Sequence, residues 1–170
     1  MCLHFAVRNV LALAPLAVNR AMRTNVSYIV FAAQQAQEAE AFGFTRNVCC
    51  RNLKTALHHY WQNKTLGLHG QSQKKNIPRS KAALGKPLPE CHVEHVVPLM
   101  YIVNKLMDMN PSTERKVTAI LNKFFRVLLV TTEEHRKLNA SGLRSEMPEN
   151  WDGKSVWARY DAVGIKPIDR

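Results

Sequence analysis

Two short segments rich in valine and leucine interrupt a chain whose other patterned segments are helical. CHVEHVVPL covers residues 91–99, and FRVLLVT covers residues 125–131. β-Branched and aromatic residues favour strands, and both segments contain enough of them to form strands that are largely covered. We expect two strands within an α+β fold that is otherwise mostly helical.

Helices are predicted around these strands, from runs of good helix formers or from apolar residues at helical spacing. They cover residues 27–41, 47–62, 100–109, 112–125 and 156–163. Two of them are inserted between the strands, where Asn110 and Pro111 separate one from the other and Ser112 is the expected N-cap of the second. Residues 66–90 are predicted to form an extended basic loop.

One further helix is predicted directly after the second strand, in TTEEHRKLNASG. Thr131 with Glu134 three residues later forms a capping box, and Gly142 provides the stop. His135 and Asn139 are four residues apart on this helix, so their side chains project from the same face.

Positive charge is concentrated in the first part of the chain. Residues 1–90 hold twelve Lys and Arg against three acids, a net of +9, whereas residues 91–170 hold twelve against ten, a net of +2. No acid occurs between Ala41 and Pro89. Such a segment is attracted to polyanions, most commonly phosphate backbones, although a solvated basic face would give the same pattern.

The sequence is divided into three regions by these patterns. Residues 1–26 have arginines, no acids and a short apolar run, and we expect a loosely packed or weak targeting segment, or a stretch that precedes a true start at Met22. Residues 27–88 form a helical basic region with a linker, and residues 89–170 form a unit with both strands. The apolar run is too short to span a bilayer, and four cysteines do not make a disulfide framework in a chain of this size, so we expect an intracellular, cytoplasmic protein. The lack of a CxxC pair disfavours a structural zinc site.

The first strand contains an adjacent acid and imidazole, Glu94 and His95, among valines. Alternation along a strand offers an ordinary explanation, because one of two neighbouring side chains can face solvent. The other explanation is a metal site. If the helix with His135 packs across the strands, a carboxylate and an imidazole can hold one divalent ion while His95 acts on water.

EHVVPL at residues 94–99, the downstream strand and the capped helix EEHRKLN together resemble the HNH, or ββα-metal, nuclease family over residues 89–142. The family's fold is a small core of two antiparallel strands and a helix. The resemblance implies metal ligands at Glu94, His135 and Asn139, a general base at His95 and a second catalytic side chain at Asn122. The two inserted helices and the lack of paired zinc-binding cysteines depart from many members.

The resemblance also implies a reaction, the metal-dependent hydrolysis of nucleic-acid phosphodiester bonds, with double-stranded DNA as the expected substrate. A neutral imidazole can take a proton from the attacking water. Mg²⁺ is the expected ion because oxygen ligands favour hard cations, although an imidazole ligand also admits Mn²⁺, Zn²⁺ or Ni²⁺. A toxin-like nuclease would in addition have an inhibitor protein as its partner, and no membrane partner is expected.

Basic side chains near the proposed site are the expected contacts to nucleic acid. The candidates are Lys74, Lys75, Arg79, Lys81, Arg136 and Arg159. An alternative of another class is a non-catalytic basic DNA-binding protein, in which His95 is a structural histidine. Strand scission in the presence of a divalent ion separates the two functions.

Overall fold

The structure is a computed structural model that describes residues 25–66, 77–110 and 112–168, and for residues 61–66 it describes the helix alone. This part is of the α+β class and mostly helical, with one antiparallel two-stranded sheet. In chain order the elements are α1 (Val26–Ala41), α2 (Arg46–Leu66), a 3₁₀ turn (Leu88–Glu90), β1 (Cys91–His95), α3 (Leu99–Met107), α4 (Glu114–Phe124), β2 (Val127–Thr131), α5 (Thr132–Ala140) and α6 (Ala158–Ala162).

Each predicted helix is present, with its ends shifted by a few residues. The expectation that Ser112 caps the helix before β2 is wrong, because Thr113 is the N-cap of α4 and its hydroxyl accepts from the backbone N–H of Lys116 at 3.4 Å. Ser112 is buried and donates its hydroxyl to the backbone carbonyl of Met109 at 3.0 Å. Its side chain therefore bonds to the segment that follows α3, and Ser112 lies one residue before the N-cap of α4.

The two strands pair antiparallel, as the resemblance implied. Cys91 lies opposite Thr131 at one end of the ladder, and His95 lies opposite Val127 at the other. Helices α3 and α4 fill the connection between the strands, while α5 follows β2 directly and packs against both strands. This order places the first turn of α5 over the middle of the sheet.

Residues 77–80 lie alongside β2, contrary to the expectation of an extended basic loop over residues 66–90. The backbone N–H of Leu129 donates to Pro78 at 2.8 Å, and the N–H of Ser80 donates to Leu129 at 2.9 Å. Ile77 is buried against Val127 and Leu129. The added backbone segment explains why the Val127–Val130 part of β2 is buried.

The largest hydrophobic core is formed jointly by α1, α2, α3 and α4. Ile29, Leu53, Leu57, Ile102 and Leu106 are all fully buried in it. This core therefore crosses from residues 27–88 into residues 89–170, because the helices inserted between the strands pack on the N-terminal helices. A second cluster lies between the sheet, α5 and α6, and consists of Val96, Leu128, Val130, Leu138, Tyr160 and Ile165.

Candidate functional site

The start of α5 is fixed to the sheet by a buried carboxylate. The hydroxyl of Thr131 accepts from the backbone N–H of Glu134 at 3.1 Å, and the Glu134 carboxylate accepts from the N–H of Thr131 at 2.9 Å, which confirms the predicted capping box. Ser80 donates its hydroxyl to the same carboxylate oxygen at 2.6 Å. His135, the next residue, therefore takes a defined position over β1.

Three of the predicted site residues form a continuous chain of contacts. Nδ1 of His135 lies 2.6 Å from Oε1 of Glu94, and the side-chain nitrogen of Asn139 lies 3.1 Å from Nε2 of His135. An ionised carboxylate only accepts hydrogen bonds, so Nδ1 donates and has the imidazole proton. Nε2 is then the unprotonated nitrogen, next to the Asn139 amide.

The chemistry of this donor set suits a divalent ion. A carboxylate, an imidazole and a side-chain amide together match the ligands used by Mg²⁺, Mn²⁺ and Zn²⁺. The side chains of His135 and Glu94 are 27% and 16% exposed, so solvent reaches the group. Within the described residues, no three side chains drawn from His, Cys, Asp and Glu alone are placed to hold a metal ion. The Glu94 carboxylate lies on Nδ1 of His135 and the Asn139 amide lies beside Nε2, so an ion on Nε2 would have His135 and Asn139 as ligands. Glu94 would then orient the imidazole and not bind the ion, contrary to the prediction that it is a ligand.

Arg159 of α6 lies beneath this group and not on the surface. It is 1% exposed, and Nη2 donates to Oε2 of Glu94 at 2.9 Å and to the backbone carbonyl of His95 at 2.6 Å. Nη1 donates to the carbonyls of Leu143 and Arg144 at 2.7 and 3.1 Å. The prediction that Arg159 contacts nucleic acid is therefore wrong, because its guanidinium is enclosed and both terminal nitrogens are used inside the protein.

His95 ends β1, with its ring centroid 5.6 Å from that of Phe125. Burial lowers the pKa of His95 to about 4, with smaller contributions from His58 and Arg159, and the negative charge of Glu94 partly opposes the shift. His95 is therefore neutral near pH 7. Glu94 contacts α5, whereas the ring of His95 lies against Phe125, so the neighbours leave the strand on different sides.

The lowered pKa of His95 gives a test of its surroundings through protein stability. Its pKa is near 6.5 in an unfolded chain, so the unfolded state binds a proton more readily between about pH 6.5 and pH 4. We expect the stabilisation that comes from burying neutral His95 to be present in full above pH 6.5. As the pH falls toward 4, the free energy of unfolding should decrease by up to about 3 kcal/mol.

Urea unfolding of metal-free wild type and of a His95→Gln variant at several pH values would give the free energy of unfolding of each protein as a function of pH. The difference between the two pH dependences measures the contribution of His95. Identical pH dependence in the two proteins would contradict it.

His92 belongs to the same surface, although the sequence did not mark it as functional. Its ring stacks on that of His135, with centroids 4.5 Å apart and planes 11° from parallel. His92 precedes Glu94 by two residues on β1, and side chains two apart on a strand share a face. That spacing could have identified it.

Asn122, the predicted second catalytic side chain, is not brought to the site. It is exposed on α4, and no contact recorded for the described part of the chain joins it to Glu94, His95 or His135. Helix α4 packs on α1 and α3, away from α5. The two inserted helices thus separate this asparagine from the metal candidates.

The predicted nucleic-acid contacts are placed unequally. Lys81 and Arg136 are exposed, as a phosphate contact requires, and Arg136 lines a cavity of about 460 Å³ beside the start of α5. Arg79 instead donates Nη1 to the backbone carbonyls of Ala83 and Lys86, both at 2.8 Å. Lys74 and Lys75 lie outside the described residues.

Comparisons of the chain with models of protein families, with curated proteins and with solved structures found no match. Among the helices in residues 25–66, 77–110 and 112–168, none is long and apolar enough to cross a membrane.

Proposed function

We propose that this chain is a metal-dependent endonuclease of the HNH, or ββα-metal, type that hydrolyses phosphodiester bonds in DNA. The observation that carries the proposal is the contact between Glu94 on β1 and His135 on α5, 2.6 Å apart in space and 41 residues apart in sequence. His95, which follows Glu94, and Asn139, which lies one turn after His135 on α5, have the side-chain types that the resemblance requires.

Each residue of the site has a separate task in the proposed reaction. His135, through Nε2, and Asn139 would hold the divalent ion, while Glu94 holds the opposite ring nitrogen, Nδ1; the bound ion would stabilise negative charge on phosphate oxygens. His95 takes the proton of the attacking water. With a pKa of about 4 it is almost entirely unprotonated at pH 7, so it is available as a base although its basic strength is modest.

Nucleic acid is the proposed substrate because of the charge distribution. The acid-free stretch of residues 41–89 includes α2, on which Arg51 is exposed, and leads to the exposed Lys81. Arg136 adds an exposed cation on α5, one residue from His135. Positive charge on Arg136 beside the site, and on the other exposed basic residues, would attract a phosphate backbone.

A second candidate function is DNA binding without cleavage. It is favoured by the contacts of Glu94, whose two carboxylate oxygens are already engaged by Arg159 and His135. The ring of His95 lies against Phe125, on another side of β1 from this group. In such a protein the buried ion pair and the histidines would only stabilise the fold.

Removal of metal is the first test of the proposed function. We expect the purified chain to nick or linearise supercoiled plasmid in Mg²⁺ or Mn²⁺, and to leave it intact after EDTA treatment, with activity returning when the ion is restored. Gel mobility shift in EDTA would measure binding separately. Binding with no scission in any of Mg²⁺, Mn²⁺, Zn²⁺ and Ni²⁺ would favour the binding protein.

A further inference from the structure

The guanidinium of Arg159 joins α6 to two other segments, β1 and the segment after α5. Its Nη1 holds the carbonyls of Leu143 and Arg144 in the segment after α5, at 2.7 and 3.1 Å. Its Nη2 holds Oε2 of Glu94 and the carbonyl of His95, at 2.9 and 2.6 Å. Because a guanidinium is planar and rigid, the two loop carbonyls determine where Nη2 points.

The orientation of Glu94 follows from that of Arg159. Oε2 is fixed by the guanidinium, so Oε1 is directed at Nδ1 of His135, 2.6 Å away. An ionised carboxylate at this position requires the proton of His135 to be on Nδ1. The unprotonated Nε2 then faces the Asn139 amide at 3.1 Å, where an ion can be bound.

We infer that Arg159 is a positioning residue, which orients Glu94 so that Glu94 in turn fixes the tautomer and ring orientation of His135. The metal-binding part of this inference rests on the proposed nuclease function, whereas the tautomer part concerns the protein without metal. Removal of a carboxylate or carbonyl that accepts from the distal N–H of a ligating histidine typically weakens metal affinity by about 10–100-fold. Arg159 acts one contact further away, through the carboxylate.

The experiment uses the full 170-residue chain and an Arg159→Gln variant, which removes the charge and the planar fork. Long-range ¹H–¹⁵N spectra of the imidazoles at about pH 8, above the ordinary histidine pKa of about 6.5, report the tautomer without metal. We expect His135 to be in the Nδ1–H form in the wild type and to populate the Nε2–H form in the variant. Calorimetric titration with Mn²⁺ should show about 10–100-fold weaker binding.

Two further variants make the result specific. Arg159→Lys keeps the positive charge but not the fork, so we expect an intermediate tautomer population and intermediate Mn²⁺ affinity. Arg144→Gln is the matched control, because the Arg144 side chain is exposed and only its backbone carbonyl contacts Arg159. We expect it to leave both readouts unchanged.

The outcomes separate a positioning role from a purely structural one. A folded Arg159→Gln protein with His135 still in the Nδ1–H form and with unchanged Mn²⁺ affinity would overturn the inference. If Arg159→Gln does not fold, the same two readouts on Arg159→Lys decide. If the wild type binds no Mn²⁺, the proposed function fails, while the tautomer spectra still support or overturn the positioning role.

Discussion

Replacement of His95 by alanine is expected to reduce plasmid cleavage by about 10²–10⁴-fold, the usual contribution of a general base. The imidazole is neutral at pH 7 because burial lowers its pKa to about 4, so nearly every molecule has an acceptor for the proton of water. Without that acceptor, water must attack phosphorus while it still holds its proton. Single-turnover cleavage rates with metal at saturation measure the loss.

The same His95→Ala protein should still bind metal and DNA, since the side chains of Glu94, His135 and Asn139 remain in place. Gel shift in EDTA and Mn²⁺ titration test this directly. A His59→Gln variant, which removes a half-buried imidazole from α2 outside the site, controls for a general loss of stability. Cleavage by His95→Ala at the wild-type rate would remove His95 from the mechanism.

The elements that the sequence predicted best are those determined by short local signals. The capping box of Thr131 and Glu134 starts α5 at Thr132, and Gly142, with φ of 72°, follows the last helical residue, Ala140, by two positions. Both depend only on residues within a few positions of each other. The phase of α5 was therefore predictable, and with it the common face of His135 and Asn139.

The contact between the strand acid and the helix histidine was predictable for a related reason. A capped helix that directly follows the second strand has little freedom except to pack on the two-stranded sheet that it leaves. Its first turn then lies near the middle of the paired strand. Glu94, opposite Leu128 in the ladder, is in that position.

Arg159 could not be placed from the sequence because its environment is entirely tertiary. An arginine near a tryptophan in a polar C-terminal segment has the pattern of an exposed side chain. Its burial depends on acceptors from β1 and from the segment after α5, which are 15 to 65 residues away. The same limit applies to Ser80, whose buried bond to Glu134 spans 54 residues.

Asn122 was predicted as a site residue from the family resemblance alone, although its position in α4 indicates an exposed side chain. Helix α4 has its apolar stripe at Val117, Leu121 and Phe124, all buried. Asn122 follows Leu121 directly and is exposed, away from that stripe. Helical phase alone thus directs its side chain to solvent and not toward the sheet.

Replacement of Glu94 by alanine is expected to cause the largest loss of stability at the site, about 3–5 kcal/mol. Arg159 is 1% exposed and Glu94 is its carboxylate partner, so the variant leaves a buried guanidinium without its counter-charge. Urea unfolding followed by circular dichroism would measure the change. Glu133→Ala is the matched control, because the ion pair of Glu133 with Lys137 is exposed and should contribute less than about 0.5 kcal/mol.

A second substitution distinguishes the unpaired charge from the loss of packing. In Glu94→Ala/Arg159→Met the guanidinium is replaced by an apolar side chain that fills part of the same space, so the double variant should be more stable than Glu94→Ala alone. Its metal binding should nevertheless be weakened about 10–100-fold, since the carboxylate that orients His135 is gone. If Glu94→Ala costs no more than Glu133→Ala, the guanidinium is neutralised in another way, and the ion pair does not hold the site together.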